Sequence, residues 1–186
     1  MRTFIAIDIG EKVAASIGGL QDEIRGLFGE KRRGVKWVDP GLIHLTLKFL
    51  GEVDDDQIVE VCKVVGDVTA GFGYFDVEVE KVGSFGRPPR VIWIGTEESE
   101  QLCKLQADLD AGLAEIGFAP DEKKFVPHLT LCRVKDFAAG RRLGRIIGGY
   151  DAFSAGKIHV KSVCVYKSEL TKTGPEYTLL ANYNLN

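Results

Sequence analysis

No stretch of this chain approaches the about 18 consecutive apolar residues that a membrane-spanning helix needs. No charged-then-apolar leader is present either, because Arg2 and Asp8 already interrupt residues 1–9 within a strand-like pattern. A cytoplasmic protein with no membrane partner is therefore expected. Cysteine is scarce: Cys62, Cys103, Cys132 and Cys164 lie far apart with no C-x-x-C pair, which removes zinc and redox motifs and argues against a disulfide framework, leaving buried free thiols as the expectation. Histidine is scarcer still. Apart from two discussed below, only His159 is present, with no carboxylate at ligand spacing, so the three or four donors of a zinc or iron site are not assembled and no metal is expected. There is no G-x-S-x-G elbow to present an activated serine. Charge of one sign is also lacking: the net charge of −3 argues against a general nucleic-acid coat.

What is present is a tetrapeptide that occurs twice, His44-Leu45-Thr46-Leu47 and His128-Leu129-Thr130-Leu131. Both copies sit in apolar, β-favouring sequence. Alternation along a strand puts His44 and Thr46 on one face with Ile43, Leu45, Leu47 and Phe49 on the other, and His128 and Thr130 opposite Leu129 and Leu131. The apolar face accounts for each strand, but core burial does not require a histidine and a threonine on the opposite one.

The flanks repeat as well. Residues 2–7 answer residues 90–95 as strands, and residues 11–28 answer residues 98–116 as helices. Residues 54–68 answer residues 137–147, and the alternating stretch 75–82 answers 157–165. Each half reads as strand, helix, motif strand, helix, strand. Two copies are too few for a solenoid, so the chain is expected to be one duplicated domain over residues 1–186, with pseudo-twofold symmetry and two interleaved lobes that each contribute one motif. At 20.4 kDa with 45% hydrophobic residues it can bury a core without staples. Gly71, Gly83 and Gly86 are either flexible points or turn glycines.

Basic residues are bunched in three groups: Lys31, Arg32, Arg33 and Lys36 before Trp37; Arg87 and Arg90 around Pro88-Pro89; and Arg141, Arg142 and Arg145. Basic loops beside an aromatic suit a single strand or a nucleotide end, and equally suit solvated turns. Trp37 and Trp93 read as packing residues, with stacking on a base left open for Trp37. Paired imidazoles suit in-line displacement at phosphorus, where attacking and leaving oxygens lie on opposite sides and each needs a proton partner. Histidine serves both roles near neutrality because its ordinary pKa is about 6.5. The threonine hydroxyls can donate to the non-bridging oxygens, where charge gathers.

The paired H-x-T motifs resemble those of the 2H phosphoesterase superfamily. The flanks Trp37-Val38-Asp39-Pro40, His44 to Gly51, Pro127 to Arg133, Arg2 to Ile7 and Tyr166 to Leu170 resemble its branch of RNA 2′,3′-cyclic phosphodiesterases, also called 2′-5′ RNA ligases. The resemblance covers nearly the whole chain. It implies a bilobal α+β fold with antiparallel sheets lining a central cleft, helices outside, no required cofactor, and hydrolysis of a terminal 2′,3′-cyclic phosphate on RNA or a cyclic nucleotide to a 2′-phosphomonoester. It makes His44 the proton donor to the departing 3′ oxygen and His128 the proton acceptor for water, with Thr46, Thr130 and Arg133 on the phosphate and Phe49 as a base-stacking residue. Strict alternation puts Arg133 opposite His128, so either the strand bulges after Cys132 or the long side chain wraps the edge. Phe49 reads equally as a core residue. A monomer is expected. Two other readings stand beside hydrolysis: 2′-5′ ligation in the same site, and a non-catalytic module that grips RNA ends.

Overall fold

The structure is a computed structural model that describes residues 1–29, 34–172 and 174–186. Helix α1 (Gly10–Phe28) buries Val13, Ile17, Leu20, Ile24 and Phe28, a spacing of three and four that makes one apolar stripe. Helix α2 (Asp55–Thr69) starts where the Gln57 side chain accepts the Asp54 N–H at 3.2 Å. Helix α3 (Glu100–Glu115) starts where Ser99 Oγ accepts from Leu102 N at 3.2 Å, and α4 (Phe137–Ile147) where Asp136 Oδ1 accepts from Ala139 N at 2.7 Å. Among the described residues no helix is long and apolar enough to cross a membrane.

Among the described residues nine strands form two antiparallel sheets: β1 (Arg2–Asp8), β2 (Val35–Trp37), β3 (His44–Glu52), β4 (Phe75–Phe85), β5 (Val91–Thr96), β6 (His128–Val134), β7 (Ser154–Val160), β8 (Ser162–Leu170) and β9 (Pro175–Asn184). Their orders are β3-β1-β8-β9 and β2-β6-β5-β4-β7. The duplication is visible in the pairings. Opening strand and motif strand are neighbours in both halves, β1 with β3 and β5 with β6, and each half sends a later strand across, β4 onto β5 and β8 onto β1. Helices α1 and α4 pack together on the five-stranded sheet, and α2 with α3 lie against the four-stranded one. One sheet face thus meets helices, and the other bears the histidines. The α+β, bilobal, pseudo-symmetric expectation holds.

One expected strand does not. Residues 157–165 divide at Lys161 into the end of β7 and the start of β8, which belong to different sheets. The buried positions change parity there, from Ile158 and Val160 to Val163 and Val165, so a single strand would have put half of them in solvent. Gly83 is no hinge either. It lies inside β4, where a Cβ would meet the Trp93 ring at 2.3 Å. Only Cys132 and Cys164 are buried thiols, raised by burial to about 12 and about 11 respectively; Cys62 is half-buried and Cys103 exposed on α3.

Candidate active site

The two motif strands follow one plan. In β3, His44 and Thr46 are half-buried while Leu45 and Leu47 are buried; in β6, His128 and Thr130 are half-buried while Leu129 and Leu131 are buried. The alternation then slips in both. Ile5 faces Lys48 and Ala6 faces Thr46, leaving Leu47 unpaired on β1; Ile92 faces Cys132 and Trp93 faces Thr130, leaving Leu131 unpaired on β5. These are matching β-bulges. After each one Lys48 and Cys132 turn inward, and Phe49 and Arg133 emerge on the histidine face.

Of the two alternatives for Arg133, the bulge is therefore the one that applies. The core alternative for Phe49 is corrected. Its side chain is 68% exposed, with its ring 6.0 Å from that of Phe4, on which His44 stacks at 4.6 Å. The bulges are held from behind. The Leu131 carbonyl accepts from Val38 N at 3.0 Å and from Gln21 Nε2 at 3.0 Å, and Gln21, fully buried on α1, also donates to the Val38 carbonyl at 2.8 Å. Lys48 Nζ bonds Asp110 and the Ala119 carbonyl, with Asp121 at 3.4 Å.

Both imidazoles are anchored alike. His44 Nδ1 lies 2.9 Å from the Leu42 carbonyl and His128 Nδ1 lies 2.7 Å from the Val126 carbonyl, in each case two residues back along the chain. A carbonyl only accepts, so Nδ1 donates in both rings and Nε2 is the nitrogen left to exchange a proton. The surroundings differ. His44 is stacked on Phe4 and meets Tyr177 of β9 edge-on at 5.2 Å; His128 meets Phe85 edge-on at 4.9 Å with Trp93 at 6.3 Å.

Burial pushes the His44 pKa below its ordinary value, opposed by the hydrogen bond to Leu42 and by the Asp8 charge. Asp8 faces His44 across β1 and β3 and accepts from the Tyr166 hydroxyl at 2.7 Å, whereas the residue facing His128 is Gly95. One histidine has a carboxylate directly across the ladder and the other does not. Tyr177 links the two sheets. Burial raises its phenol, and the Arg133 guanidinium of the other sheet opposes that rise. The motif strands themselves approach one another.

His159 pairs with Asp76 at 2.6 Å on the exposed side of β7, apart from the site. Among the described residues no three His, Cys, Asp or Glu side chains come together as metal ligands. Trp37 packs on the core with Arg25 over its ring at 4.8 Å, so the Trp37 stacking idea is not supported, whereas Trp93 lies opposite Thr130 with its ring against Phe85 and over Gly83; both indole N–H groups are buried. Lys31, Arg32 and Arg33 lie outside the described residues. Arg90 bonds the Lys135 carbonyl at 3.1 Å, while Arg141 and Arg142 on α4 cover Phe137 and Phe28. Asp8, Tyr177, Gln21 and Lys48 were not among the expected site residues. None gave a signal: by alternation Lys48 falls on the face of His44 and Thr46, where a charge is ordinary, and only the bulge at Leu47 turns it inward.

The chain matches the family described as LigT like Phosphoesterase twice, over residues 7–93 and 94–177, so each match contains one motif. A Methanothermobacter thermautotrophicus protein named RNA 2′,3′-cyclic phosphodiesterase is 34% identical over 187 residues, covering 100% of this chain and 99% of its own. A Thermotoga maritima protein of the same name is 37% identical over 182 residues, covering 97% and 93%. The crystal structure of a Thermus thermophilus protein superposes with a TM-score of 0.82 at 28% identity, covering 100% of this chain and 98% of that one. Escherichia coli LigT in apo form, 23% identical with a TM-score of 0.77 over 99% and 96%, shares the fold.

Proposed function

The chain belongs to the LigT-like phosphoesterase family, and on that footing we propose that it hydrolyses 2′,3′-cyclic phosphate ends of RNA to 2′-phosphomonoesters without a metal ion, as a cytoplasmic monomer of one domain. Support comes first from the matched anchoring of two imidazoles by carbonyls two residues back, each with a threonine on its face and an arginine or phenylalanine after a matching bulge. The two relatives named RNA 2′,3′-cyclic phosphodiesterase agree with the reaction.

His128 Nε2 takes a proton from water as the water oxygen bonds to phosphorus in line with the 3′ oxygen. The bond from phosphorus to that oxygen breaks, and His44 Nε2 gives it a proton. Thr46 and Thr130 donate to the non-bridging oxygens, where charge is greatest in the transition state. Arg133 adds a guanidinium fork. Phe49 offers its exposed ring to the base. Proton exchange with solvent restores both imidazoles. The test is a short RNA with a 2′,3′-cyclic end in excess EDTA, followed by phosphorus NMR. A 2′-phosphate product is expected. Bound RNA without turnover supports an end-binding module instead, and turnover only after metal is restored overturns the metal-free reading.

Asp8 supplies a second expected result. The reaction needs His44 protonated and His128 neutral, so kcat/KM follows a bell in pH whose limbs belong to the pair. The Asp8 charge favours the protonated form of His44, against burial. Asp8→Asn removes that support, so His44 loses its proton at lower pH. The alkaline limb weakens, the acid limb is little changed, and the optimum moves acidward. An unchanged kcat/KM profile means that Asp8 has no influence on the acid.

A further inference from the structure

Among the described residues strand β2 has no counterpart in the other sheet: β3 is an edge strand, while β6 is covered by β2. This break in the pseudo-symmetry brings one side chain to the site. The register pairs Val35 with Val134, Lys36 with Arg133 and Trp37 with Cys132. Directly opposed residues of antiparallel strands project from the same face, with Cβ atoms about 4.5–5.5 Å apart. Lys36 therefore shares the face that the Leu131 bulge gives to Arg133, the face of His128 and Thr130. Its neighbours agree, since Val35 and Trp37 pack on the core from the other side and Lys36 is exposed.

Like charges directly opposed across a ladder are destabilising, and no described carboxylate relieves this pair. Among the described residues neither Lys36 nor Arg133 forms an ion pair. Two uncompensated cations side by side call for an anion with more than one charged group. A 2′,3′-cyclic mononucleotide has a single phosphate charge, which Arg133 answers. An RNA end has a second phosphodiester, on the 5′ side of its last nucleotide. Lys36 stands one strand spacing, about 4.8 Å, beyond Arg133 toward the open edge of the sheet, and its four-carbon stem adds reach.

We propose that Lys36 binds the phosphodiester 5′ to the terminal nucleotide, making the protein select RNA chain ends over cyclic mononucleotides. The proposal rests on the phosphodiesterase reading above. It extends that reading from a reacting group to a polymer.

The test compares wild type with Lys36→Ala and Lys36→Glu on cytidine 2′,3′-cyclic phosphate and on a tetraribonucleotide with the same end, across a salt series. On the tetranucleotide the alanine variant should raise KM roughly tenfold with kcat little changed, the glutamate variant more, and the salt dependence of log kcat/KM should lose about one unit of slope. On the mononucleotide both variants should match wild type. Equal losses on the two substrates, or no loss on the tetranucleotide, overturn the proposal. Fluorescence anisotropy with an uncleavable tetranucleotide ending in a 3′-phosphate keeps the two ideas apart. If wild type cleaves neither substrate the phosphodiesterase reading fails, and the Lys36 assignment then stands or falls on whether the alanine variant weakens that binding.

Discussion

Replacing His128 with alanine is expected to lower kcat on a 2′,3′-cyclic phosphate end by about 10²–10⁴-fold, and replacing His44 by a similar factor, with binding of the RNA end changed only a few-fold. The double variant should be little worse than the poorer single one, because acid and base act in one transition state and their losses do not add. The two roles separate by chemistry. In a substrate with sulfur in place of the 3′ oxygen the leaving group departs as a thiolate, far less basic than an alkoxide, since a thiol such as that of cysteine has a pKa of about 8.5, and it needs no proton in flight. That substrate should restore turnover to His44→Ala and not to His128→Ala. Restoration of the His128 variant alone reverses the assignment, and a single variant that keeps its rate sinks the two-histidine mechanism. His44 is stacked on Phe4 and touches Tyr177, so His44→Gln, which fills more of that space, is the companion variant, with thermal melting of both checked first.

The duplication, the helices and the two catalytic candidates were legible because each leaves a periodic or repeated trace. Two features were not. The bulges at Leu47 and Leu131 invert the alternation after four residues, so Phe49 reads as core and Arg133 as facing away when parity is followed along the strand. The trace is present in the second copy, where Leu129, Leu131 and Val134 cannot share one parity, and the duplication transfers it to the first. The crossing of β4 and β8 left no local trace at all. It is decided by which sheet edge each strand finds, a long-range choice, and Tyr177 reaches His44 only because β9 follows β8 into the four-stranded sheet. Asp8 was hidden for the same reason. Its carboxylate has meaning only once β1 is paired with β3 in this register.

The largest expected loss of stability comes from Lys48→Met. Lys48 is 2% exposed in its side chain, and its ammonium has three hydrogens for three acceptors: Asp110, the Ala119 carbonyl at 3.0 Å and Asp121 at 3.4 Å. Methionine keeps most of the stem's packing and removes the charge, leaving two carboxylates, of which Asp110 still accepts from the Asp121 N–H. Breaking a buried pair from one side costs about 3–5 kcal/mol. Asp110 is 18% exposed and Asp121 49%, so both can recover water, and the lower end of that range applies. For a chain of this length about 3 kcal/mol is roughly 6–12 °C in Tm. Removing the stranded charge as well, in Lys48→Met with Asp110→Leu, should recover most of the loss, since a whole buried pair is often replaceable by apolar groups. The single variant should also lower kcat, because Ala119 and Asp121 are the points at which the segment leading to Val126 is tied to β3, and the Val126 carbonyl orients His128. A Lys48→Met protein that melts like wild type would show that the ammonium is dispensable to the fold, and one that loses stability with kcat intact would uncouple the bulge from the second histidine.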